Sequence, residues 1–222
     1  MPSIKFYCIP ESVPCRAVEM VASLAGVALN RIYINIFNRE HLTDEHKELN
    51  PLGKIPLIED GDLKLNDSHA IMGYLVNKYM PIDNTLYSRD PIERARVDEL
   101  LYIDIGILYQ SAFNLLKPKI LGTPKPPSEG RVKAFRNALT YLDNRYQSNG
   151  GKRFMLGNHL TIGDISLAAS LTVPEIIDYD ISEFKGLETY KNRLRNSIPK
   201  YGEINDEPVE NARKFIKLRH EV

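Results

Sequence analysis

Ser12 and Cys15 lie three residues apart in Glu11-Ser12-Val13-Pro14-Cys15-Arg16, between a short β-like run and residues at helical spacing. A helix N-terminus gathers free N–H groups and the positive end of the peptide dipoles, so it favours an anion and lowers the pKa of a thiol placed there. Two cysteines in such a turn could exchange a disulfide. With serine at the first position that cycle cannot run. What remains is a hydroxyl and a helix end that can stabilise an anion brought by another molecule, including its thiolate. The competing reading is that Ser12 only caps the helix. Cys15, one turn inside, is more often a small buried residue than a nucleophile.

Two further clusters could bind a ligand's backbone. In Lys54-Ile55-Pro56-Leu57 a proline precedes a strand-like run. A cis-proline there would present the N–H and C=O of the preceding residue to an extended peptide, whereas an ordinary trans proline at a strand start would not. In Asn66-Asp67-Ser68-His69 the next helix begins. Its free N–H groups and the Ser68 hydroxyl could receive a carboxylate while Asp67 pairs with an ammonium, although an Asp-Ser helix cap explains the same residues.

The elements that position these groups follow from periodicity. Ile4-Lys5-Phe6-Tyr7 reads as a strand, Val18 to Ala25 as a helix ending at Gly26, and Ile32–Ile36 as a second strand. A β-helix-β unit points to a parallel pair with a right-handed crossover. His41–Leu49 reads as a polar helix, residues 57–65 as a hairpin around Asp60-Gly61-Asp62, and Asp67 to Tyr79 as a helix with an apolar band wider than one stripe. This β-α-β-α-β-β-α order is thioredoxin-like and ends near Tyr79. Residues 81–90 read as a linker between a first domain, 1–80, and an all-helical second domain, 91–222, interrupted at 117–129 and 149–151. Within it Thr161 and Asp164 have the spacing of a reciprocal capping box, and Leu160 can staple to Ile165.

The 222 residues carry 29 Lys+Arg against 29 Asp+Glu, which leaves no electrostatic case for nucleic acid or an anionic membrane. With 43% hydrophobic residues the chain is expected to fold, and no stretch reaches the length of a membrane span. No secretory pattern is read in Met1–Ser12, and two cysteines make neither a disulfide framework nor a zinc site. A reducing, cytoplasmic location and no metal are the expectations.

In combination these motifs resemble the cytosolic glutathione transferases, in particular the insect delta and epsilon classes with their Ser-x-Pro-Cys-Arg turn. The likeness continues through Glu40-His41-Leu42, Asn50-Pro51, Ile55-Pro56, Asp67-Ser68-His69-Ala70-Ile71, Leu86-Tyr87 and Leu160-Thr161-Ile162-Gly163-Asp164-Ile165, and so covers essentially the whole chain. The resemblance implies a homodimeric, detoxifying transferase in which glutathione is co-substrate and no prosthetic group is needed. Ser12 would stabilise the glutathione thiolate, and that thiolate would attack small hydrophobic electrophiles, with peroxidase activity left open. Ile55 beside a cis-Pro56 would pair with the cysteinyl unit. Asp67, Ser68 and His69 would hold the γ-glutamyl group, and His41 would lie near the glycyl carboxylate. Gly53-Lys54 stands where these classes usually carry a histidine, so Lys54 would supply the positive charge instead, and Asp67 stands where they often carry Glu. Tyr102, Gly106, Tyr109 and Phe113 share one face of a regular helix. By the resemblance they would line the electrophile pocket, though aromatic residues so spaced can simply be core. The family's counterpart of Asp164 is structural, which excludes it from catalysis. The alternative activities are a non-catalytic carrier of glutathione or apolar ligands on the same fold and, third, a thiol-disulfide oxidoreductase using Cys15.

Overall fold

The structure, a computed structural model, describes residues 4–123 and 126–220. The expected domain ends at 1–3 and 221–222, and two residues of the proline-rich stretch, lie outside the described residues. The first half contains β1 (Ile4–Cys8), α1 (Val13–Leu24), β2 (Leu29–Tyr33), a 3-10 turn at Glu40–Leu42, α2 (Asp44–Leu49), β3 (Leu57–Asp60), β4 (Leu63–Asn66) and α3 (Ser68–Tyr79). The sheet order is β2-β1-β3-β4, with β1 parallel to β2 and antiparallel to β3, and β3 antiparallel to β4. This is the thioredoxin-like order read from the sequence.

Two elements differ from that reading. β2 spans Leu29–Tyr33 rather than Ile32–Ile36, because its register against β1 ends at the Cys8–Tyr33 pair. Beyond it the Asn35 side chain accepts hydrogen bonds from Phe37 N and Asn38 N and turns the chain, which overrides the β-branched pattern. The expected helix at 41–49 is split at Thr43, whose extended backbone (φ −65°, ψ 155°) ends the 3-10 turn while its hydroxyl accepts from His46 N to cap α2.

After a segment without helix or strand at 81–90, the second half contains α4 (Pro91–Ile103), a π turn at Asp104–Leu108, α5 (Tyr109–Ile120), α6 (Glu129–Gln147), α7 (Ile162–Ser170), α8 (Val173–Ile177), α9 (Lys185–Ser197), a π turn at Gly202–Asp206 and α10 (Glu207–His220). Asp90 caps α4 by accepting from Ile92 N and Glu93 N, with Pro91 at the first helical position.

The helix that carries the Ser12 turn is central to the molecule. On α1 Val13, Cys15, Arg16, Ala17, Val18, Met20, Val21 and Ala22 are all buried, too many for one stripe. The helix packs on α3, on α7 and on the π turn at 202–206. Burying each large apolar side chain contributes about 1.5–3 kcal/mol, so α1 is fixed from both halves. The broad apolar band of α3 is also accounted for within the chain: Ile71, Met72, Leu75 and Val76 are buried, and the Tyr74 and Tyr79 hydroxyls donate to Asp60 Oδ2.

Candidate active site

Ser12 is the N-cap residue of α1 by backbone geometry (φ −74°, ψ 120°), yet its side chain makes no capping hydrogen bond. The purely structural reading of the hydroxyl therefore lacks its defining contact. Cys15 is 1% exposed and burial pushes its thiol up to about 12, against the Ser12 hydroxyl and the Ile9 backbone, which pull it down. A thiol so placed stays protonated at neutral pH and does not act as a nucleophile. Cys8 is likewise buried and free, with its thiol pushed up by burial.

The other hydroxyl nearby on the sheet, Tyr7 of β1, donates to Glu59 of β3, and burial together with that carboxylate raises it to about 12. Its proton is committed to Glu59, whereas the Ser12 hydroxyl caps nothing and acts only on the protonated Cys15 thiol.

The Ile55–Pro56 peptide is cis, Ile55 is half-buried and Pro56 is buried at the start of β3. The preceding loop is held from below. The Lys54 carbonyl accepts from Asn50 Nδ2 at 2.8 Å and is hydrogen-bonded to His46 Nε2 at 3.2 Å, while its side chain is exposed. Gly53 has φ +56°, and a Cβ there would lie 3.0 Å from the His41 carbonyl oxygen, so only glycine lets the 41–42 turn approach this loop. Gly53, Lys54 and His41 are thus brought together. His41 is half-buried, its Nδ1 is buried without a partner among the described residues, and burial, His46 and Arg39 lower its pKa, so the ring is neutral at neutral pH. Sequence reasoning gives no role to Asn50 and His46, which support the loop from buried positions; Asn50-Pro51 enters it as part of the family likeness.

At the start of α3, Asp67 is exposed and has φ +74°, a region that favours glycine. Its Oδ1 accepts from His69 N at 3.0 Å and Ala70 N at 3.2 Å, so the carboxylate does serve as a cap. Ser68 is buried. His69 points to the helical half, with its Nε2 2.8 Å from Ser166 Oγ, and Ser166 donates to Asp104 Oδ2. A serine has one proton, so Ser166 must accept from His69, which fixes the proton on Nε2. Asp104, 2% exposed, keeps its Oδ1 without a partner among the described residues. Asp104 and Ser166 were also missed: neither lies in a motif of its own, and they meet His69 only when α3 and α7 pack.

A narrow crevice runs along this seam, lined by Val13 and Pro14 of α1, Ser68 and His69 of α3, Ile105 and Tyr109. The four residues expected on one helical face do not sit alike. The π turn at 104–108 inserts extra backbone and breaks the regular α spacing. Tyr102 is 74% exposed and Gly106 is exposed with no atom within 4 Å of where its Cβ would be. Tyr109 and Phe113 are half-buried with rings stacked at 5.7 Å. A larger cleft of about 420 Å³, between Glu175, Tyr179, Lys191, Arg195 and Tyr201, holds none of the expected site residues.

Residues 2–77 match the family described as glutathione S-transferase, N-terminal domain, and residues 109–197 match glutathione S-transferase, C-terminal domain. Among solved structures, a delta-class glutathione transferase of Nilaparvata lugens is 34% identical over 97% of this chain and 99% of its own, with a TM-score of 0.89. A glutathione transferase homolog of Drosophila mojavensis with bound glutathione is 31% identical over 99% and 98%, TM-score 0.88. An epsilon-class enzyme of the housefly Musca domestica is 29% identical over 98% of both chains, TM-score 0.88.

Proposed function

The chain belongs to the glutathione S-transferase family and is a glutathione transferase with glutathione as co-substrate; we propose that Ser12 is its catalytic residue, donating a hydrogen bond to the glutathione sulfur. The observation that carries this is a helix-capping serine whose hydroxyl caps nothing, one turn from a thiol too buried to react.

A free thiol with a pKa of about 8.5 is only a few per cent ionised at neutral pH, and lowering it by about two units raises the thiolate fraction roughly twenty-fold. A charge-assisted hydrogen bond and a helix terminus together supply that order of magnitude. Ser12 keeps its own proton throughout; the thiol proton passes to solvent, and the thiolate sulfur then forms the new bond to carbon as the leaving group departs with its bonding pair or, in addition to a double bond, as the adjacent carbon takes a proton from solvent. In this reading Ile55 pairs its backbone with the cysteinyl unit. Asp67 and Ser68 receive the γ-glutamyl group, with His69 holding the start of α3 against α7. Lys54 supplies the positive charge for the glycyl carboxylate, with Gly53 and the neutral His41 beside it. Glutathione recognition falls to residues 1–80, and the hydrophobic electrophile is received by 91–222, where Tyr109 and Phe113 offer aromatic surface.

The physiological role we assign is detoxification of hydrophobic xenobiotics in the cytoplasm, by a homodimer. The dimer draws support from the exposed apolar side chains Tyr102 and Ile107. A non-catalytic carrier is not favoured, because the Ser12 hydroxyl is present at the helix N-terminus and caps nothing there. Purified protein should conjugate glutathione to a chloronitroaromatic, and Ser12→Ala should lose most of that turnover while still binding glutathione. Tight glutathione binding with no turnover in the native protein would leave the carrier reading standing.

A further inference from the structure

Arg16 is 1% exposed in the middle of the molecule, and among the described residues no carboxylate lies within 4.0 Å of it. Its guanidinium donates to Asn205 Oδ1 at 2.7 Å and to Thr172 Oγ1 at 3.1 Å, both neutral and buried, and Nε has no partner among the described residues. Buried arginines are ordinarily paired, because a charge taken out of water is costly without compensation. Burial accordingly lowers this guanidinium to about 10, which still leaves it charged at neutral pH.

The groups that face it do not neutralise it. Cys15 on α1, Tyr109 on α5 and Tyr201 ahead of α10 are all raised by burial and therefore uncharged at neutral pH. Glu175 of α8 is exposed and paired with Lys191, and Asp206 is paired with Arg195. The positive charge is thus preserved in a medium that screens it poorly.

Its position is one helical turn from Ser12: Arg16 N donates to the Ser12 carbonyl at 3.0 Å, and residues four apart share a helix face. Its field reaches Cys15 and Tyr109, the second of which lines the crevice.

We propose that Arg16 is a positioning residue for the conjugation reaction: Asn205 and Thr172 hold its uncompensated charge behind the Ser12 turn, where its field favours the glutathione thiolate over the thiol. This rests on the thiolate forming at Ser12. It explains why a buried cation is held by two neutral acceptors from the helical half where a carboxylate would hold it more tightly. A carboxylate there would cancel the field.

The test is the ionisation of enzyme-bound glutathione, read by thiolate absorbance against pH, with kcat/KM followed in parallel. Arg16→Met removes the charge and should raise the bound thiol's pKa by about one unit, with kcat/KM at neutral pH falling about ten-fold and recovering at alkaline pH. Arg16→Lys should restore most of the shift. Asn205→Asp keeps the arginine and gives it a near-isosteric counter-charge, so it should raise the thiol pKa in the same direction in a protein that folds with its buried cation paired. That variant decides the matter if Arg16→Met does not fold. A wild-type thiol titration in Asn205→Asp, or in folded Arg16→Met, would overturn the role of Arg16 while leaving Ser12 intact. A native complex whose thiol titrates as free glutathione does would overturn both.

Discussion

The Tyr190 hydroxyl donates to Asp164 Oδ1 at 2.6 Å between two side chains that are fully buried. The same carboxylate accepts from Met155 N at 3.0 Å, from Thr161 N at 2.9 Å and from the Thr161 hydroxyl at 2.6 Å, which completes a reciprocal capping box with Asp164 N on Thr161 Oγ1. One side chain therefore ties the loop before α7, the start of α7 and α9.

Asp164→Ala takes the acceptor from four buried donors, the Tyr190 and Thr161 hydroxyls and the Met155 and Thr161 amides, each costing up to about 1–3 kcal/mol where it finds no other partner. The expected loss is about 3 kcal/mol or more, a fall in Tm of roughly 6–12 °C for a chain of this size, with near-normal kcat in the fraction that folds. Thermal melts alongside active-site titration check this. Abolished turnover at an unchanged Tm would give Asp164 a chemical role that its position does not suggest.

Asp60 provides the pH-dependent part of stability. Its Oδ2 accepts from Lys78 Nζ at 2.7 Å, Tyr79 OH at 2.7 Å and Tyr74 OH at 2.8 Å, joining the end of β3 to α3. Burial raises its pKa, but these donors outweigh it and the carboxyl sits below its ordinary value. A carboxyl whose folded pKa is depressed contributes stability above its unfolded pKa and loses it as pH falls through the folded one. Asp60→Asn should therefore lower Tm by a few degrees between about pH 5 and 8, and the gap from the native protein should close below about pH 4. A gap that stays constant down to acid pH would mean that the carboxylate charge contributes nothing.

Asp60 also marks the limit of what the sequence discloses. The hairpin around Asp60-Gly61-Asp62, the cap at Asp67 and the box at Thr161-Asp164 were legible because turns and helix ends are set by residues close in the chain. The strand-to-helix turn at Ser12 was legible for the same reason. The His69–Ser166–Asp104 chain and the seat of Arg16 on Asn205 and Thr172 join residues 62 to 189 positions apart, and no local pattern announces such pairs. Tyr102 shares a face with Tyr109 only on a regular α-helix. The π turn at 104–108 is a local departure that leaves the apolar spacing unchanged in the sequence. The end of β2 was overrun because Ile34 and Ile36 continue the β pattern past the last residue of β1 able to pair with it.

The exposed Tyr102 bears on assembly. If the homodimer forms through the outer surface of α4 and the π turn, Tyr102→Glu should shift sedimentation at micromolar concentration toward the monomer while each subunit keeps its melting cooperativity. A native protein that sediments as a monomer would rule the dimer out, and a dimer indifferent to Tyr102→Glu would place the interface elsewhere.

Ser12 and Cys15 should respond in opposite ways to substitution. Ser12→Ala removes a donor from the anion and leaves the neutral thiol complex nearly untouched, so glutathione affinity at low pH should change little while the bound thiol's pKa rises. Losing a charge-assisted bond of roughly 1.5–3 kcal/mol should lower kcat/KM near neutrality about ten-fold or more, and alkaline pH should return part of it by ionising the thiol unaided. Cys15→Ala removes a thiol that burial already holds at about 12, so activity should persist and the penalty should appear as stability, a buried sulfur lost from the packing of α1. Both profiles can be read from kcat/KM and thiolate absorbance against pH. A Ser12→Ala enzyme with the native profile beside an inactive but folded Cys15→Ala would move the chemistry to the thiol, against the burial that surrounds it.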